Sequence, residues 1–135
     1  MTIKMSVAVR NGRLDSIESV IGVSAILKLR TGAPPALITD ADSGTIVATL
    51  NLPSDWMAAA AAGSKAKAGT WEDLLSDAAG TIGHFRIYAT DGVTQHMQGT
   101  VTITGGGGDM TVANPVVEIN QPITVTGFTL TDGNA

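Results

Sequence analysis

The side chains that could do chemistry in this sequence are few and spread out. His84 and His96 are its two histidines, and Asp91-Gly92 between them is a hairpin signal that would set residues 84–90 against 94–104. Brought opposite one another, two imidazoles could act as a general base or as a pair of metal ligands. No third ligand, nucleophile or orienting carboxylate completes such a site, so a surface or core role is expected for each. Asp40-Ala41-Asp42-Ser43-Gly44 has the look of the start of a calcium loop. Its glycine comes one position early and Asn51 stands where the closing glutamate belongs, so the expectation is a turn with an exposed carboxylate pair. Glu72, Asp73 and Asp77 read as a solvated charged turn. Gly105-Gly106-Gly107-Gly108 has the composition of a phosphate loop, but no Gly-Lys-Ser/Thr ending, dinucleotide spacing or following helix. A hairpin tip, or a point of close approach by a neighbouring chain, is expected there. No catalytic, cofactor or metal site is predicted.

Charge is more informative. The chain holds 8 Lys and Arg against 12 Asp and Glu, a net of −4. Its first 30 residues carry Lys4, Arg10, Arg13, Lys28 and Arg30 against Asp15 and Glu18, and after Arg86 there is no cation at all. The basic part is short and lacks aromatic residues for base stacking, so nucleic acid is not an expected partner. Docking on an acidic surface, its own or a neighbour's, is expected instead, with Arg10, Arg13, Lys28 and Arg30 as candidate contacts. Trp56 and Trp71 flank a stretch of small residues and are its candidate anchors, each able to bury about 200 Å². With Tyr88 they form the one plausible platform for a carbohydrate ligand.

The elements that would position these residues follow from composition and periodicity. The sequence has 135 residues, 44% hydrophobic and only 15% charged, with no cysteine and a mean hydropathy of +0.23. One hydrophobic core without disulfides or thiolate metal sites is expected, in a single domain spanning 1–135. No apolar run reaches the roughly 20 residues of a membrane helix, and the start lacks the pattern of a secretory signal; a soluble, cytoplasmically made protein is expected. Val7, Leu14, Ile17 and Ile21 predict a helix over about 4–21, firmest from 13, with Asn11-Gly12 as a weak point and Gly22 past its end. From Ser24 the period becomes two. Ala25, Leu27 and Leu29 alternate with Ile26, Lys28 and Arg30 until Thr31-Gly32-Ala33-Pro34-Pro35, and Ile46 to Leu52 form a second run. Residues 54–80 read equally as a short helix or as a loop. Phe85, Ile87 and Ala89 alternate with His84, Arg86 and Tyr88 as a strand; runs at 97–104, 117–119 and 123–130 follow. In the last of these the apolar positions change parity across Gly127, which predicts a bulge there. The fold class expected is mainly β, a β-sandwich or jelly-roll-like domain over about 24–131 with one N-terminal α-helix.

Four strings carry a family likeness: Ala25-Ile26-Leu27-Lys28-Leu29-Arg30-Thr31-Gly32-Ala33-Pro34-Pro35, Gly44-Thr45-Ile46-Val47-Ala48-Thr49-Leu50, Gly80-Thr81-Ile82-Gly83-His84-Phe85-Arg86-Ile87-Tyr88, and Ile123-Thr124-Val125-Thr126-Gly127-Phe128-Thr129-Leu130-Thr131. With the preceding helix, they resemble small virion-associated proteins of tailed bacteriophages and prophages. The resemblance implies a non-enzymatic structural part of the virion, most specifically a capsid decoration or cement protein that binds the major capsid protein. Its smoother helix departs from Asn11-Gly12 here. A homo-oligomer, for instance a trimeric ring, is the arrangement expected of such a part. A collar, tail or fibre-base component and a carbohydrate-binding β-sandwich on the virion are the alternatives.

Overall fold

Period-two alternation broken by Gly, Pro and Asp turns dictates a chain built from strands. The structure, a computed structural model, describes residues 3–135. One helix, α1 (Val7–Ile21), precedes nine strands: β1 (Ile26–Thr31), β2 (Ile46–Asn51), β3 (Ser64–Ala66), β4 (Glu72–Asp73), β5 (Gly80–Tyr88), β6 (Gln95–Ile103), β7 (Met110–Val112), β8 (Val116–Val117) and β9 (Ile123–Thr131). They join in the order β2-β1-β5-β6-β7-β9-β3, with β4 attached to β9 and β8 to β5. The result is a curled mixed sheet with a β-sandwich-like interior.

Local chemistry explains the helix. Ser6 is extended and its hydroxyl accepts from the Val9 N–H, while Gly22, at φ 94°, closes the helix by donating to Glu18 O. The helix begins at Val7, later than expected, and runs unbroken through Asn11-Gly12. Leu14 and Ile21 are buried and Ile17 packs on the core, but Val7 faces water.

The small-residue stretch is neither helix nor featureless loop. Residues 57–67 double back as a narrow β-hairpin: Met57 bridges to Lys67, and Ala61 and Ser64 exchange backbone hydrogen bonds of 2.8 and 2.9 Å. Ala62 and Gly63 both have positive φ, 52° and 74°, the geometry of a type I′ turn. Alanine's helix preference is overridden because β3 pairs with the end of β9, Ser64 opposite Thr131.

The glycine run also departs from expectation. Instead of topping an antiparallel hairpin it lets β7 lie parallel to β6, Val101 beside Met110, after only a short connection. The chain turns back so tightly that a Cβ on Gly106 or Gly108 would lie 2.8 or 2.9 Å from Thr102 atoms. The expected bulge in the last strand is present. Thr111 pairs with Gly127 and Val112 with Val125, which leaves Thr126 extra and moves the buried side chains from Ile123 and Val125 to Phe128.

The aliphatic stripes of β1, β2, β5, β7 and β9 enclose one core, threaded by four aromatic rings. Trp56 lies 6.0 Å from Trp71, Trp71 5.7 Å from Phe128, and Phe128 meets Phe85 edge-on at 5.5 Å. The accessible surface is 6752 Å², close to the roughly 6,600 Å² that this mass exposes as one folded unit.

Candidate functional site

The two tryptophans belong to the interior, which corrects their expected role as partner contacts. Trp56 is 0% exposed and Trp71 1%. Each indole N–H is satisfied locally, Trp56 by Gly22 O at 2.9 Å and Trp71 by Ala68 O at 3.0 Å. Lys67, at the end of the 57–67 hairpin, holds its ammonium 5.9 Å from the Trp71 ring centre. Tyr88 is buried as well, so the carbohydrate platform does not exist on this surface.

Arg30 is corrected in the same way, being 5% exposed, whereas Lys28 is half-buried. Strand β5 is covered on both faces: Phe85 and Ile87 enter the core, and His84, Arg86 and Tyr88 are buried beneath residues 32–45, which fold back across the sheet. Asp42 reaches down from that loop to bind Arg30 Nη2 at 3.0 Å, Arg86 Nη1 at 2.8 Å and the Tyr88 hydroxyl at 2.8 Å. Arg86 is fully buried and also donates to Asp40 O, Leu37 O and the Gln98 side chain. Gln98 in turn donates to Pro35 O at 2.7 Å, and Lys28 lies 4.7 Å from the Tyr88 ring centre while donating to Gly92 O. Buried guanidinium groups with planar donor forks suit this task, since one cation can hold several carbonyls of an irregular segment. Partial burial works against charge on Asp42, but Tyr88, Arg86 and Arg30 together hold its pKa below the usual value. Burial chiefly, with the Asp42 hydrogen bond, pushes Tyr88 up. The expected Asp40/Asp42 pair is therefore split: Asp40 caps its own turn through the Leu37 N–H, and Asp42 fastens the loop.

The histidines are not opposite one another. His84 pairs with Thr100, is 0% exposed and uses Nδ1 on Gly32 O at 2.9 Å, whereas His96 is exposed. Burial lowers the His84 pKa, and nearby Arg30 and Arg86 lower it further, against the upward pull of Gly32. An imidazole held neutral between two cations and away from solvent fits a packing role.

Arg10 and Arg13 both reach Asp132 of their own chain. Arg10 donates to Asp132 O at 3.1 Å, and Arg13 pairs with the Asp132 carboxylate at 3.2 Å while its side chain stays 54% exposed. The rest of the helix is latched by carboxylates. Lys65, 2% exposed, binds Asp15 at 2.7 Å and Glu18 at 3.0 Å, and Asp15 also accepts from the Ala60 N–H. The Lys65 bond chiefly lowers Asp15; for Lys65 itself burial pulls the pKa down, but Asp15 and Glu18 outweigh it and raise it. Asn11 adds a hydrogen bond to the Gly63 N–H. The sequence around Lys65 does not single it out, because a lysine among alanines and glycines reads as solvated.

An open groove of about 520 Å³ separates β6 from β9, lined among others by Phe85, Met97, Gln98, Asp109 and Phe128. Its polar members are already engaged: Gln98 by Pro35, and Asp109 by the Thr100 N–H at 2.9 Å and hydroxyl. Among the described residues no group of three His, Asp or Glu side chains could hold a metal ion, and no helix is long and apolar enough to cross a membrane. What the surface offers instead is aliphatic: Val20, Val23, Leu74, Leu75, Val93 and Ile119 are each more than half exposed. Compared with family models, with curated proteins and with solved structures, the chain gives no match.

Proposed function

We propose that this chain is a non-enzymatic structural protein of a tailed-phage virion, a capsid decoration or cement protein that binds the major capsid protein. The observation that carries this reading is how the buried cations and their carboxylate partners are used. Arg30, Arg86, Asp42 and Lys65 all fasten one part of the chain to another, and several large aliphatic side chains stand more than half exposed. A frame whose irregular segments are tied down by ion pairs, with aliphatic side chains left outward, suits binding at repeated sites, where many modest contacts act as one. The four strings that resemble virion proteins fall largely on β1, β2, β5 and β9, so the likeness lies in the frame of the sheet.

Copy number tests it. Particles produced by the host that carries this sequence should contain the chain in amounts commensurate with the major capsid protein, measured by quantitative mass spectrometry. Absence from particles overturns the reading, and a few copies per particle moves it to collar or tail.

A further inference from the structure

Two apolar surfaces of opposite charge lie at opposite ends of the sheet. The first is the outer face of α1. Val9, Arg13, Ser16 and Val20 recur at helical spacing and are all exposed, Val9 by 50% and Val20 by 72%; Arg13 also pairs with Asp132 of its own chain, so the cation left without a carboxylate on this side, among the described residues, is exposed Lys4 just before the helix. The inner face already has its partners in Leu14, Ile17 and Ile21, so this helix is apolar on two sides and only one is covered.

The second surface is built from two loops. Leu74 and Leu75 are each 65% exposed, Ile119 61% and Val116 58%. Buried Ser76 joins their segments with four hydrogen bonds: its N–H to Gln121 O, its hydroxyl to Glu118 O, the Asn120 N–H to its carbonyl and the Gln121 N–H to its Oγ. The aliphatic side chains therefore stand on a stiff base, and little order has to be gained on binding. Glu72, Asp77 and Glu118 border them, all exposed and, among the described residues, none in an ion pair.

Strand direction sets the separation. The helix meets Asp132 beyond the end of β9 and borders Met97 near the start of β6, whereas the acidic loops adjoin Ile123 at the start of β9 and Gly80 at the start of β5. Nine-residue strands at about 3.3 Å per residue put roughly 25 Å between the two surfaces. They are too far apart to meet within one chain.

We propose that the occupant of each surface is a second copy of this chain, joined head to tail, the valine-and-cation face of α1 against the leucine-and-carboxylate platform of the next copy. Charge complementarity selects this pairing, because like surfaces face to face would bring carboxylates onto carboxylates. A heterologous contact of this kind closes into a ring or runs on as a filament. It concerns copies in solution and stands or falls apart from the virion reading.

The test uses two charge-reversed variants of the full chain, Lys4→Glu with Arg13→Glu and Glu72→Lys with Glu118→Lys, studied by light scattering after size exclusion. The wild type should form assemblies larger than a dimer. Each variant alone should need at least about tenfold higher concentration to assemble, the equivalent of one lost charge contact. An equimolar mixture of the two should restore assemblies larger than a dimer, with the variants alternating, since each variant's helix face then meets a platform of opposite charge on the other. A wild type that stays monomeric up to millimolar concentration, or variants that form ordinary dimers by themselves, would overturn the proposal. Val20→Ser and Leu75→Ser, at exposed positions, provide the same comparison should a charge-reversed chain fail the circular dichroism check for folding.

Discussion

Asp42 is one carboxylate serving two cations, and the substitution Asp42→Asn isolates the charge. An asparagine side chain there would keep the shape and one acceptor oxygen, so the change removes the negative charge between Arg30 and Arg86, whose side chains are 7% and 0% exposed. Leaving buried cations without their partner costs about 3–5 kcal/mol when the site is dry. Asp42 is itself 36% exposed, and water reaching that side reduces the effect, so about 2–3 kcal/mol is expected. At about 3–6 °C per kcal/mol for a domain of this size, the melting temperature should fall by roughly 6–18 °C. Urea denaturation provides the free energy, and hydrogen exchange should show residues 32–45 opening ahead of the core. Adding Arg86→Met to Asp42→Asn should destabilise less than the two changes summed, because the second removes a cation that the first stranded. A change below about 0.5 kcal/mol for Asp42→Asn would refute the idea that this ion cluster secures the loop.

Trp71→Ala should cost about 3–5 kcal/mol in the same assay, since the ring is enclosed between Trp56 and Phe128. The folded chain resists protonating His84, whereas the unfolded chain takes up that proton near pH 6.5. Stability should therefore fall as the pH drops below about 6.5, by at most about 1.4 kcal/mol per pH unit, and His84→Gln should remove that part of the slope. Gly12→Ala should stabilise the protein by about 0.5–1 kcal/mol in thermal melts, because Gly12 lies inside α1 with open space where a Cβ would go.

Functional residues are less legible than strands. Arg10 and Arg13 show themselves as cations beside an otherwise acidic chain, and Arg13 does meet a carboxylate while Arg10 meets the same residue's carbonyl, but that residue is 119 positions from Arg13 in sequence. Nothing near Lys65 signals that Asp15 and Glu18 will reach it from the helix. The alternation around β5 predicts one dry face where the fold has two, because the covering segment, 32–45, looks like any polar turn until Asp42 meets its arginines. Trp56 and Trp71 stand at the edge of a small-residue stretch, where either burial or display fits the local pattern.

By itself, the order of residues determined what depends on near neighbours: a helix closed by Gly22, strands with period-two stripes, and a bulge at the parity change beside Gly127. These are consequences of backbone geometry and local hydrogen bonding, and a short window contains their causes. Only the tertiary structure decided which faces are covered and by what. Whether an arginine lies in water or under a loop, and whether a run of alanines coils or pairs, depends on segments tens of residues away whose approach releases far more free energy than local preference can oppose.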